Sequence, residues 1–103
     1  MNLSDKIQTM LNFAIRASKT VFGVDNIPSC KSKHVIVVCS TLSENSKKQL
    51  LNENKKTPII LSKRPLETII HRGGKAVAVK DYHMAMEIMK NINEDYELIS
   101  EGI

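Results

Sequence analysis

The segment Lys33-His-Val-Ile-Val-Val-Cys39 constrains this chain more than any other. Four consecutive β-branched residues, Val35 to Val38, followed by Cys39, leave neither side of an extended strand polar. Side chains alternate between the two faces of a strand, so a strand apolar on both must be covered on both. Lys33–Cys39 is therefore expected at the centre of a sheet with helices above and below it. The run is far too short to span a bilayer.

The flanking sequence supplies the covering helices. Ser4 can cap a helix reaching about Ser18, with Ile7, Met10, Leu11, Ala14 and Ile15 forming one stripe. Thr20–Phe22 is a short β-prone piece ended by Gly23, after which Asp25 or Asn26 opens a short helix with Pro28 in its first turn. Beyond the central strand, Thr41-Leu-Ser-Glu44 fits a capping box for a helix to about Asn52. Thr57–Leu61 is strand-like, with Pro58 at its start, where a missing donor is tolerated. Pro65 opens a helix over Leu66–Ile70, His71–Lys75 turns, and Ala76–Val79 is a further strand. Asp81 caps the last helix, whose apolar face is Met84, Ala85, Ile88, Met89 and Ile92. This alternation predicts a three-layer α/β/α sandwich around a mostly parallel sheet. It forms one domain over 1–92, followed by an acidic tail over 93–103 that is frayed or extends the last helix.

Charge is unevenly spread. Residues 1–75 carry thirteen Lys/Arg against five Asp/Glu, and the remainder carries two against six, for an overall +4. A basic excess confined to part of a chain favours a negatively charged partner, although a solvated lysine-rich surface has the same composition. Aromatic residues make up only 4% of the chain, so few side chains can stack on exposed bases. The N-terminal segment has no basic region leading into an apolar stretch, so no signal peptide is read and a reducing cytoplasmic setting is expected. Cys30 and Cys39 could pair on arithmetic alone, but Cys39 ends a buried strand and reads as a small core residue.

Catalytic chemistry has little to work with. His34, His71 and His83 lack metal-ligand spacing, and neither paired carboxylates nor a nucleophile elbow is present. No cofactor is implied. His71-Arg-Gly-Gly-Lys75 lacks the spacing of a phosphate loop, yet Gly73 and Gly74 can either expose N–H groups to an anion or simply make a tight turn. Basic pairs occur at Arg16/Lys19, Lys31/Lys33, Lys47/Lys48, Lys55/Lys56, Lys63/Arg64 and Arg72/Lys75. Those near Gly23–Lys33 and in the post-strand loops are expected to converge at one end of the sheet.

Four stretches, LNFAIRASKTVFG, VIVVCSTLSENSKKQL, TPIIL and GGKAVAVKDYHMAMEIM, together resemble the small bacterial members of the L7Ae/L30e ribosomal-protein family over about residues 7–92. In those relatives a helix ending Ala-Arg-Ala-Gly-Lys leads into a short strand and a glycine, and the central strand precedes Ser-Glu-Asn-Thr-Lys-Lys. Ala17-Ser18-Lys19 and Ser43–Lys48 hold those places here. The resemblance implies an L30e-like four-stranded mixed sheet and a non-enzymatic protein that binds a bent, kink-turn-like RNA, within ribosomes or other ribonucleoproteins. The family's Gly-x-Asn-Glu pattern falls on Gly23, Asp25 and Asn26, with the amide and carboxylate exchanged, and Ser40-Thr41 stands where an acidic pair is common. By that likeness Gly23, Asp25, Asn26, Ser40 and Thr41 meet the RNA. Lys19, Lys31, Lys33, Arg72 and Lys75 face phosphates beside Gly73 and Gly74, with Lys47 and Lys48 down the helix from this surface. A protein-interaction or scaffold role is the alternative, using the acidic tail or the Met84/Met86/Met89 face.

Overall fold

The structure is a computed structural model that describes residues 6–63, 66, 75–92 and 94–102. In chain order the elements are α1 (Lys6–Arg16), β1 (Thr20–Phe22), β2 (Val35–Cys39), α2 (Glu44–Glu53), β3 (Ile59–Ser62), β4 (Ala76–Val79), α3 (Tyr82–Lys90) and β5 (Tyr96–Ser100). The strands form one mixed sheet in the order β1-β4-β2-β3-β5. Of the helix expected over Leu66–Ile70 only Leu66, buried in the core, is described; the rest of it and His71–Gly74 of the expected turn lie outside the described residues.

β2 is buried along its whole length, as its sequence requires. Val35, Val37 and Cys39 face α1 and α3 in a cluster with Ile7, Leu11, Ala85 and Ile88. Ile36 and Val38 face the other way, onto Ile27 and onto Leu50 of α2. β4 alternates in step: Val77 and Val79 join the first cluster, Ala76 and Ala78 the second. The two alanines leave room for Ile27, so the β1–β2 loop packs directly on the sheet beside α2. Met84 and Met89 pack against the first cluster, whereas Met86 is exposed.

Three expectations are corrected. The sheet is not mostly parallel, because only β2 and β3 run together while β4 pairs antiparallel with both β1 and β2. The β3–β4 connection leaves and re-enters the sheet at one end, which reverses the strand. The sheet also has five strands, not four. The expected acidic tail contributes β5, antiparallel to β3, and Tyr96 lies in the core. Its acids obscured the β-prone Tyr96-Glu-Leu-Ile-Ser100, yet an exposed Glu97 is what an edge strand tolerates. Finally, no helix opens at Asp25 or Asn26. Gly23–Ser32 runs as successive turns, with the Asn26 and Ile27 N–H groups both donating to the Gly23 carbonyl and the Cys30 N–H to that of Ile27. Pro28 disfavours helical backbone at the residue before it, which breaks the helix at Ile27.

The end of α1 shows how local sequence is fitted. The Ser18 N–H donates to Ile15 O and the Lys19 N–H to Ala14 O, while Ser18 takes φ 59°. This is a Schellman closure with serine in the left-handed position that favours glycine. Ser18→Gly should therefore stabilise the protein by about 1 kcal/mol, read as a shifted urea midpoint at unchanged slope. Tyr96→Ala should cost about 3 kcal/mol by removing an aromatic side chain from the core, against nearly nothing for a frayed tail.

Candidate nucleic-acid interface

Strand register sorts the candidate residues between the two ends of the sheet. Phe22 is opposite Val77, Val38 opposite Ala76, and Cys39 opposite Ser62. The end of β1, the end of β2, the start of β4 and the end of β3 therefore share one edge of the sheet. Backbone bonds tie them: the Gly23 N–H donates to Ala76 O, the Cys39 N–H to Lys75 O and the Ser40 N–H to Ser62 O. Gly23, Asp25, Asn26, Ser40, Thr41 and Lys75 are gathered there. Arg72, Gly73 and Gly74 lie outside the described residues.

Lys19 and Lys33 are not part of that gathering. Thr20 pairs with Val79 and Val79 with Val35, so Lys19, Lys33, His34 and Lys80 sit at the opposite end. Two backbone bonds fix this, from the Lys80 N–H to Lys19 O and from the His34 N–H to Val79 O. Lys31 precedes β2 at that same end. From Lys33 to Ser40 an extended chain spans about 23 Å, so the expected convergence of all these cations at one end is incorrect. The β1–β2 loop, read as a local helix, instead crosses the sheet face from one end to the other.

Within the Gly23 end, several polar groups serve the loops themselves. Gly23 has φ 99°, a conformation other residues rarely adopt, and an added Cβ would stand 3.3 Å from Asn26 Nδ2. That amide donates to Phe22 O at 3.0 Å, closing the turn, and the Ser29 hydroxyl donates to Asn26 O. Asn26 Oδ1 and the exposed Asp25 carboxylate have no partner among the described residues. Ser40 Oγ donates to Lys63 O, and Thr41 Oγ1 lies 2.9 Å from the buried Cys39 Sγ. Both cysteines are free thiols. Thr41 is therefore not the helix cap. Ser43 is, accepting from the Ser46 N–H at 3.2 Å, whereas Asp81 caps α3 as expected.

That two-residue shift in the start of α2 repositions Lys47. Its ammonium reaches Ser40 O at 3.3 Å and Glu44 at 3.5 Å, at the end of β2 and not down the helix. Lys47 and the exposed Lys63 are two cations of this end that lie outside the site expected from the sequence; for Lys47, serine at the true cap position is the available signal. Among the described residues, this end carries Lys47, Lys48, Lys63 and Lys75 with Asp25, Glu44, Glu94 and Asp95, and Lys90 pairs with Glu87. The opposite end carries Arg16, Lys19, Lys31, Lys33, Lys55, Lys56 and Lys80 against Glu53, Asp81 and Glu101. Among the described residues, the larger group of cations thus lies at the end away from Gly23.

Among the described residues no His, Cys, Asp and Glu side chains are grouped to hold a metal ion, and no helix is long and apolar enough to cross a membrane. No family model matches the sequence, nor does any curated protein. Among solved structures, a protein of unknown function from Bacillus halodurans C is similar, with a TM-score of 0.77 and 20% identity, covering 86% of this chain and 98% of that one. The similarity establishes a shared α/β fold. Gly23→Ala should cost about 1–2 kcal/mol of stability through its backbone conformation alone, measured by urea denaturation; an unchanged midpoint would contradict the turn described.

Proposed function

We propose that this chain is a non-enzymatic RNA-binding protein of the L7Ae/L30e type, acting in the cytoplasm on a structured, bent RNA element of the kink-turn kind. Ribosomal RNA or another ribonucleoprotein is the expected setting. The observation that carries this reading is the gathering of the Gly23–Asn26 turn, Ser40-Thr41 and Lys75 at one sheet end by direct backbone bonds. Gly23 brings the backbone close to its surroundings, and Asn26 Oδ1 and Asp25 offer acceptors suited to base-edge donors. Lys47, Lys63 and Lys75 supply phosphate contacts. Further support comes from Ser18, which occupies the left-handed position where the resembled family carries glycine.

Docking here would draw on the braced Gly23–Asn26 turn and its acceptors, so selectivity for bent over straight RNA should be marked. Asn26→Ala should weaken binding of a bent, internally looped RNA by about 1–3 kcal/mol while leaving a plain duplex unaffected. Lys75→Ala should weaken both and lower the salt slope by about one unit. Filter binding at several salt concentrations, with thermal melts of the same variants, checks this. Equal affinity of the wild type for bent and straight RNA would defeat the proposal.

A protein-interaction or scaffold role is the second reading. It is favoured by the exposure of Phe13 and Met86 on the two helices that pack on the same sheet face. A stoichiometric protein partner retained after nuclease treatment would support it.

A further inference from the structure

The end of the sheet opposite Gly23 also carries the most exposed phenylalanine or tyrosine side chain among the described residues. Tyr82, the first residue of α3, is 56% exposed. The His34 ring meets it edge-on, at 5.6 Å between centroids and 80° between planes, and the His83 ring does so at 5.8 Å and 73°. Neither imidazole stacks on it. The two together limit the ring's orientation while leaving much of it open to solvent. Tyr82 follows Lys80 by two residues, and the Lys80 N–H is bonded to the carbonyl of the exposed Lys19. Asp81 intervenes, but its Oδ1 accepts from the Met84 N–H at 3.0 Å, and the α3 N-terminus offsets its charge.

We propose that this surface binds unpaired RNA, with one base stacked on Tyr82 and the adjoining phosphates on Lys19 and Lys80. An aromatic face flanked by cations suits a single strand, because a base must leave its helix before a side chain can stack on it. A duplex would engage the lysines and leave Tyr82 idle. The inference rests on the RNA-binding reading for its partner class but uses different residues, at the other end of the sheet. Together the two ends describe a protein that grips a bent element at Gly23 and an unpaired extension at Tyr82.

Three RNAs test it: a blunt bent element, the same element with an unpaired extension of about ten nucleotides, and that extension alone. The extension should tighten binding about tenfold over the blunt element. Tyr82→Ala should abolish that gain and Tyr82→Phe should keep it. Lys19→Ala with Lys80→Ala should lower the salt slope for the extended RNA by about 1.4 units. Tyr82 is largely exposed, so melts of these variants should match the wild type. No gain from the extension, or a gain that survives Tyr82→Ala, overturns the inference. Failure of the blunt element while the free extension still binds through Tyr82 removes the Gly23 reading and leaves this one standing.

Discussion

Everything in this molecule depends on the burial of β2 from both sides. Its five residues hold no polar side chain other than a thiol, so the sheet must be closed above by α1 and α3 and below by α2 and the β1–β2 loop. The strands on either side accept this by alternating in register, with small Ala76 and Ala78 on the face where a loop must approach closely. With both faces occupied, the charged groups of the described residues are left to the outer helix surfaces and the two ends of the sheet. Any ligand too large for a cavity must approach one of these surfaces.

The two ends differ in kind. Around Gly23 the loops are braced by their own hydrogen bonds: Asn26 to Phe22, Ser40 to Lys63, and Thr41 beside the Cys39 thiol. Such a surface presents fixed backbone and a few oriented acceptors, which suits recognition of shape. Around Lys19 and Lys80 cations dominate and an aromatic ring stands open, which suits loose, salt-dependent binding to flexible chain. Affinity and selectivity would then be drawn from separate ends, joined by a loop that runs across the sheet between them.

Much of this was legible in the sequence, and what was not has physical reasons. The α1 stripe, β2, β4 and the Asp81 cap follow from periodicity and cap chemistry, and each is found where expected. Ser43 competes for the cap with Thr41, which alone has capping-box spacing, to Glu44; the competition is decided by Thr41 turning to Cys39. Asp25 and Asn26 looked like caps because carboxylates and amides are good ones, but Asn26 reaches back to Phe22 and Pro28 halts the helix. β5 was hidden by acids on an edge strand, where β-patterning is weakest. The division of the cations between two ends depends on the direction of β4, a long-range pairing that no local pattern encodes.

The central claim is that bent RNA docks on the loops joined at the Gly23 end. Backbone amide chemical shifts, followed by NMR while a bent, internally looped RNA is added, test it most directly. The account predicts the largest changes at Gly23–Ile27, Ser40–Leu42 and Lys75, with α1 and the outer side of α3 little affected. Changes confined to the α1 and α3 surfaces, or none at saturating RNA, would contradict it.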